Sequence, residues 1–308
     1  MASNSTTTTL SQEMSIFYDK VFLERAMLSL RYDFGATKKT MPLNSGKTIY
    51  FNRMTPLALQ TTALTEGTTP SQISMSSTIV SATIAQYGTY TQVSDMFALT
   101  SIDVGLKEHV SVMAQNAGET LDTLIAAELS TNATVQLAAG SNITTIAATD
   151  TLTGAQIRKA VRTLKKNKAR MFPEGMFRAI VPASAAYDLR GNTEWQNSLI
   201  YTDASDYKKG VLGSIHGVRF VETNNQVLEA AAGASSADVY HTYVFGDGGY
   251  AMLSLEGQPA QHIFYKIPGA NDTSNPLNLY STVGWMAYFV AKMLNTNWVL
   301  VIKSGVTA

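Results

Sequence analysis

The sequence contains no cysteine among its 308 residues. This absence excludes disulfides, thiolate nucleophiles, cysteine-based zinc sites and iron–sulfur clusters. Charge is also scarce, because Asp, Glu, Lys and Arg together make up 15% of the chain, against about 25% in ordinary domains. Basic and acidic residues balance at 23 each, which excludes a surface that is basic or acidic throughout. With little electrostatic repulsion between copies, the composition favours self-association.

Targeting and membrane signals are missing as well. Residues 1–9 are small and hydroxylated, with no basic stretch before an apolar run, which argues against a signal peptide. The most apolar segment, 283–302, is interrupted by Lys292, Asn295 and Asn297, which argues against a membrane helix. We therefore expect no membrane partner and synthesis in the cytoplasm.

Two glycine-rich motifs fail the tests for nucleotide sites. Residues 45–48 end like a phosphate-binding loop, but Met41 stands where that loop needs its first glycine, and a strand is predicted to follow. Residues 246–251 fit a loose dinucleotide fingerprint, but Asp247-Gly248 is a strong hairpin turn between two predicted strands. We therefore predict no cofactor site.

No catalytic or metal constellation is evident either. The four histidines are scattered along the sequence, and no pair of them has metal-ligand spacing on a helix. No serine stands in the Gly-x-Ser-x-Gly setting of a nucleophile. The sequence therefore predicts no catalytic residue and no metal site, and the chain is not expected to be an enzyme.

The N-terminal region has the pattern of an amphipathic helix. Leu10, Met14, Phe17, Val21 and Leu28 recur at helical spacings. This helix precedes any segment on which it could fold back locally. We therefore interpret it as an arm.

Two β-rich segments follow, 47–52 and 79–93, with a turn region at 65–70 between them. A two-stranded ribbon is at best marginally stable by itself in water. We therefore predict that this ribbon lies on a neighbouring copy of the chain. Arm and ribbon together supply the candidate inter-subunit contacts, which are Phe17, Val21, Leu28, Ile49, Phe51, Ile79 and Ile84.

The longest predicted helix begins at Thr100 and runs for about 29 residues, a rod of roughly 45 Å. Its carboxylates Asp103, Glu119, Asp122 and Glu128 are expected to be solvated. The apolar run 281–302 at the end of the chain is predicted to return and pack beside this helix.

A second unit begins near residue 150, with a helix predicted over 153–168. Its positive charge is concentrated in a neutral protein, which leaves two interpretations open. The cluster is either a solvated or salt-bridging subunit contact, or a surface for loose contact with DNA phosphates. No aromatic residues alternate with the cations, so stacking on bases is not indicated. The cluster comprises Arg158, Lys159, Arg162, Lys165 and Lys166, with Lys168 and Arg170 beyond it.

The order of these parts resembles the major capsid proteins of tailed double-stranded-DNA bacteriophages. Residues 177–190 (FRAIVPASAAYDLR) are similar to a strand-then-helix segment of that family, and residues 210–218 (GVLGSIHGV) are similar to one of its strand entries. Residues 282–289 (TVGWMAYF), with Asn297-Trp298-Val299, resemble its closing strands. The region from Tyr18-Asp19-Lys20 to Arg25 fits as well.

This resemblance implies an α+β chain with the Hong Kong-97-type capsid fold. The expected parts are an N-terminal arm (1–37), an extended β-ribbon loop (38–96) and a peripheral domain with the spine helix (97–150). An inserted axial domain (151–255) and the closing strands of the peripheral domain (256–308) complete the expected fold.

The same resemblance implies a structural protein that assembles as hexamers and pentamers into an icosahedral shell around packaged double-stranded DNA. The expected location is the virion capsid, assembled in the cytoplasm of a bacterial host. Portal, decoration and separate scaffolding proteins are the expected partners, along with non-specific contact with the DNA. The alternative is an encapsulin-like shell of a cellular nanocompartment with the same fold.

Overall fold

The computed structural model describes residues 31–44, 46–100, 106–196, 212–255, 262–266, 277 and 279–307. Strands dominate this mixed α+β architecture. Its helices are α1 (Asp95–Thr100), α2 (Leu106–Asn132), α3 (Gly154–Lys166) and α4 (Ala183–Gly191). Its strands are β1 (Thr37–Met41), β2 (Thr48–Met54), β3 (Ser77–Thr83), β4 (Ala85–Ser94), β5 (Thr134–Leu137), β6 (Phe177–Pro182), β7 (Ser214–Ile215), β8 (Val218–Thr223), β9 (Leu228–Glu229), β10 (Val239–Phe245), β11 (Tyr250–Leu255), β12 (His262–Lys266), β13 (Tyr280–Met293) and β14 (Val299–Ser304).

A five-stranded sheet is organised around the long strand β13. The strand order is β1-β11-β13-β12, and β4 also pairs with β13, antiparallel over ten residues. Side chains alternate along β13, so that Val283, Trp285 and Phe289 are buried against α2. The intervening residues point to the opposite face, which we call the outer face.

A seven-stranded sheet has the order β5-β14-β10-β6-β8-β7, with β9 also paired to β10. Its strands β10 and β14 are almost continuously buried because both faces are covered. Tyr243 and Phe245 of β10 belong to the same core cluster as the buried residues of α2. Val244, between them, belongs to the cluster formed with α3 and α4. The sheet therefore lies between α2 on one face and the two shorter helices on the other.

Helix α3 shows how the sequence produces this layer. The backbone N–H of Thr153 donates to Gln156 Oε1 at 3.0 Å, which caps the helix start. Ile157, Ala160 and Leu164 are spaced at three and four residues and are buried on the sheet. The basic residues are left on the solvent side of the helix.

Besides the long passage from β4 through α1 and α2 to β5, two short connections join the two sheets at neighbouring points. Residues 246–249 lead from β10 to β11, and residues 294–298 lead from β13 to β14. The N–H groups of Leu294 and Asn295 donate to the carbonyl of Gly249 at 2.9 and 3.0 Å, so the two connections are bonded together. The turn expected at Asp247-Gly248 is present, with a positive φ of 75° at Gly248. The hairpin prediction was wrong, because the flanking strands join different sheets.

Several strands belong to a different sheet from the one that the expected domain boundaries imply. Strands β1 and β4, from the expected ribbon region, belong to the five-stranded sheet, as does β11 from the expected axial region. Strand β14, expected in the peripheral domain, pairs with β10 in the seven-stranded sheet. Within the described residues, no helix has both the length and the apolar character needed to cross a membrane.

Candidate assembly surfaces

The β2–β3 ribbon projects from the body and ends in a long loop that exposes several large apolar side chains. Seven residue pairs join its strands, from Thr48 opposite Thr83 to Met54 opposite Ser77. Residues 55–76 beyond them form neither helix nor strand, and all are exposed. Leu59 is 83% exposed. Exposed apolar groups gathered in one place indicate an interaction surface. The large apolar side chains of the tip are Met54, Leu57, Leu59, Leu64, Ile73 and Met75.

The base of the ribbon packs on its own chain. Phe51 and Ala82 are buried against Ala251 and Leu253 on the outer face of the five-stranded sheet. This differs from the expectation that Phe51 contacts another subunit, because its ring is enclosed within its own chain. The expected contacts Ile49 and Ile84 pack partly against the same cluster.

The four remaining expected contacts have different positions. Ile79 is 65% exposed and remains available to a neighbouring copy. Phe17, Val21 and Leu28 lie outside the described residues. Among the predicted ribbon contacts, those that face the five-stranded sheet are therefore covered by their own chain, whereas Ile79 is exposed to solvent.

An aromatic pair stands on the outer face of the five-stranded sheet, away from the ribbon base. Gly284 lies between Tyr90 and Phe264 in the strand register, and both rings are exposed. A Cβ at position 284 would lie 2.8 Å from the Cβ of Tyr90. Because Gly284 has no side chain, the surface between the rings of Tyr90 and Phe264 is lower than the rings themselves.

The start of the described chain is locked into the body by one buried carboxylate. Asp122 of α2 is fully buried and accepts hydrogen bonds from the backbone N–H groups of Arg31 and Tyr32, at 2.8 and 2.7 Å. Asn225 donates to its other oxygen at 3.2 Å. Burial raises the pKa of Asp122, while the two backbone hydrogen bonds oppose that shift. The expectation that this carboxylate is solvated was wrong.

Further contacts hold the short 3-10 helix Tyr32–Gly35. The carbonyl of Tyr32 accepts a hydrogen bond from the Tyr250 hydroxyl at 2.6 Å. The Arg178 guanidinium stacks on the Phe34 ring, 4.5 Å from its centroid. Only glycine fits at position 35, because a Cβ there would overlap the ring of Phe245. Of the expected arm, the part from residue 31 onward is therefore built into the body.

A buried histidine cluster joins the end of α2 to the seven-stranded sheet. His241 Nε2 lies 3.1 Å from Glu229 Oε1, and its Nδ1 lies 3.4 Å from Ser130 Oγ and 3.3 Å from the Tyr243 hydroxyl. Burial and the charge of Lys303 lower the pKa of His241, outweighing Glu229. The imidazole is buried, so a substrate has no access to it. The cluster is therefore a structural polar network.

The predicted basic cluster lies on the exposed side of α3. Arg158, Lys159, Arg162, Lys165 and Lys166 are all exposed. Only Arg158 has an ion-pair partner among the described residues, Glu194 at 2.7 Å. Within the described part of the chain, no group of three or more His, Asp or Glu side chains is arranged to hold a metal ion.

Comparison with known proteins places this geometry in context. A family model described as phage capsid protein matches residues 78–304. The chain belongs to the phage capsid protein family. No curated protein matches it. The family match confirms the resemblance to tailed-phage major capsid proteins, and it favours the phage capsid over the nanocompartment alternative.

Solved phage capsids share the fold. The capsid of Ralstonia phage GP4 is 13% identical with a TM-score of 0.69, over 90% of this chain and 89% of that chain. The cyanophage Pam1 capsid is 16% identical with a TM-score of 0.67, over 94% and 93%. The cyanophage P-SCSP1u capsid is 15% identical with a TM-score of 0.66, over 89% and 88%. The Hong Kong-97-type α+β fold is therefore confirmed.

The role of the chain follows from the family. It is a structural subunit of an icosahedral phage capsid, and the family and fold indicate a non-enzymatic role. Assembly into an oligomeric shell and a location in the virion capsid follow as well. Three features are then candidate parts of the assembly machinery: the projecting ribbon, the basic helix α3, and residues 31–35, which we call the N-terminal root and which Asp122 anchors.

Replacing His241 by Gln should reduce the acid sensitivity of the capsid protein. The pKa of His241 is lowered on folding, so its contribution to stability is present above the ordinary histidine pKa and is lost as pH falls through the folded value. Gln keeps hydrogen-bonding groups but does not titrate. Between neutral and mildly acidic pH, the melting temperature of the wild type should therefore fall further than that of His241→Gln. The corresponding loss of unfolding free energy is about 1.4 kcal/mol for each unit by which the folded and unfolded pKa of His241 differ.

His109→Gln is the matched control, because it removes an imidazole from α2 outside this cluster. Thermal unfolding of the three proteins in the same assembly state measures the effect. Parallel pH curves for the wild type and His241→Gln would contradict the prediction.

Proposed function

We propose that this capsid protein forms hexamers and pentamers that close into a shell around packaged double-stranded DNA. The ribbon tip is the observation that carries this proposal. It exposes Leu59, Leu64 and other apolar side chains to solvent. Burial of such groups by a neighbour stabilises an assembly by about 25 cal/mol for each Å² of apolar surface.

The outer face of the five-stranded sheet is the surface that we propose binds the ribbon of a neighbouring subunit. The base of each ribbon already packs on one end of this face, at Ala251 and Leu253. The other end exposes Tyr90 and Phe264 on either side of Gly284. A ribbon from the next subunit would thus pack on the same sheet face as the chain's own ribbon base, beside it.

The expected domain roles follow this arrangement. Residues 1–30 would act as the arm, since the chain from Arg31 onward is anchored at Asp122. The ribbon 48–83 would be the extended loop, the five-stranded sheet with α2 the peripheral domain, and the seven-stranded sheet with α3 and α4 the axial domain. Assembly in the host bacterial cytoplasm and interaction with portal, scaffolding and decoration proteins belong to the same proposal.

Electron microscopy and limited proteolysis of purified full-length protein test this function together. We expect closed shells whose DNA resists added nuclease. Cleavage between Leu59 and Ser77 should be fast in unassembled subunits and slow in shells, because the exposed tip becomes buried. Equal cleavage rates in both states would contradict the role of the ribbon, and shells that hold enzyme cargo instead of DNA would favour the nanocompartment.

A further inference from the structure

Four of the five exposed cations of α3 form no ion pair with the described part of the chain. Among the described residues, none of Lys159, Arg162, Lys165 and Lys166 has an ion-pair partner, and the same holds for Lys168 beyond the helix. No carboxylate occurs from residue 151 to residue 173. Lys165 and Lys166 are placed in the last turn, where they interact favourably with the helix dipole, but Lys159 and Arg162 lie too early for that role.

Several carboxylates in the described part of the chain are, in contrast, paired with cations of the same chain. Of the acidic side chains that the structure describes, six pair with a lysine or arginine of the same chain: Asp33, Glu128, Glu174, Glu194, Glu222 and Glu229. Glu174 binds Arg178 and Arg219, for example, and Glu229 binds Lys303. The chain's own cations therefore engage these carboxylates, whereas four of the α3 cations are left without a carboxylate among the described residues.

We propose that the exposed face of α3 binds the phosphate backbone of DNA without sequence preference. This inference rests on the proposed function, since it names the surface by which the shell contacts its DNA. The helix has 13 residues, which at 1.5 Å per residue span about 20 Å, or about six base-pair steps. Cations spaced three and four residues apart line one side of that length.

The fold makes this surface suitable for contact without rearrangement. Ile157, Ala160 and Leu164 fix the opposite face of α3 on the seven-stranded sheet. The cations thus stand on a rigid element, while their long side chains adapt to phosphates. The absence of interleaved aromatic residues agrees with backbone contact rather than base stacking.

A fourfold variant of the full-length chain tests the proposal. It carries Lys159→Gln, Arg162→Gln, Lys165→Gln and Lys166→Gln. The probe is a short random-sequence DNA duplex, titrated at several salt concentrations. We expect about a tenfold or greater loss of affinity at low salt. The slope of log affinity against log salt should become shallower by about 0.9 for each phosphate that the variant no longer neutralises. The control variant carries Lys38→Gln, Lys39→Gln, Lys47→Gln and Arg53→Gln, which remove equal charge from exposed positions elsewhere.

The outcomes separate this inference from the proposed function. Equal affinity losses in both variants would overturn the assignment to α3, because only net charge would then matter. Unchanged DNA binding with impaired self-association in DNA-free solution would also overturn it, in favour of a protein partner. Failure of the wild type to form DNA-filled shells would instead count against the proposed function. Normal shells of the fourfold variant with weakened DNA binding support the proposal.

Discussion

Replacing residues 55–76 by the dipeptide Asn-Gly is expected to abolish shells while leaving the subunit folded. Met54 and Ser77 lie opposite each other at the end of the paired ribbon, so a two-residue turn can join them. The deleted residues are all exposed, and their large apolar side chains do not belong to the described core clusters. A shorter loop also lowers the entropic cost of closure, by about 0.6 kcal/mol for each halving of its length. The subunit should therefore be as stable as the wild type or more stable.

Sedimentation and electron microscopy measure this result, with thermal unfolding as the check on folding. A milder variant, Leu59→Ser with Leu64→Ser, keeps the loop length and should reduce shell yield. Thr61→Ser with Thr62→Ser is its matched control, because it changes the same loop without removing large apolar groups. Shells of wild-type size and yield from the Asn-Gly variant would show that the tip makes no essential contact.

Asp122→Ala is expected to destabilise the subunit by roughly 2–4 kcal/mol, since each buried donor left without an acceptor costs about 1–3 kcal/mol. The substitution leaves the N–H groups of Arg31 and Tyr32 and the amide of Asn225 without their acceptor. Relief of the carboxylate's own burial offsets part of that loss. Glu119→Ala, an exposed carboxylate one turn earlier on α2, should change stability by less than about 0.5 kcal/mol.

Asp122→Asn separates hydrogen bonding from charge. The amide keeps one acceptor oxygen, so this variant should be more stable than Asp122→Ala. The folded pKa of Asp122 is raised, so its contribution to stability is greatest in acid and falls as pH rises through the folded value. The Asn variant should lack that dependence. Chemical denaturation in the Asn-Gly ribbon background gives the free energies without added shell contacts.

A wild-type denaturation midpoint for Asp122→Ala would show that the N-terminal root is held by its other contacts. Arg178 on Phe34 and Tyr250 on the carbonyl of Tyr32 are those contacts. Hydrogen exchange at the amides of Arg31 and Tyr32 distinguishes the two cases. Fast exchange there with an unchanged midpoint would place the loss in local opening alone.

The ribbon and the long helix were predictable because their signals are local. Ile49, Phe51 and the β-rich run after Ser77 have strand periodicity, and the spacing of Val110, Met113, Ala117 and Leu121 predicts a helix. Partners were not predictable in the same way. Strand β4 leaves the ribbon at Ile84 and pairs with β13, which lies about two hundred residues away in sequence. Alternation shows that a strand has two faces, but it does not show which strand lies beside it.

The same distinction between local and distant signals applies to the candidate assembly surfaces. The cations of α3 are exposed as their positions between apolar residues predict. Asp122 was missed because helix carboxylates are usually solvated. A signal was present, since Asp122 lies three and seven residues before the buried Ile125 and Leu129, within the apolar stripe. Its backbone partners at Arg31 and Tyr32 come from a distant segment that no periodicity identifies.

The paired crossing between the sheets lies next to the surface on which the ribbon base packs. The ribbon base presses on Ala251 and Leu253, which come directly after residues 246–249, and on Val290, just before residues 294–298. The ribbon base therefore contacts the two strands that enter this crossing. Because both connections are short and bonded to each other at Gly249, they act as one joint. The surface on which the ribbon base packs and the joint between the two sheets are thus parts of the same two strands, β11 and β13.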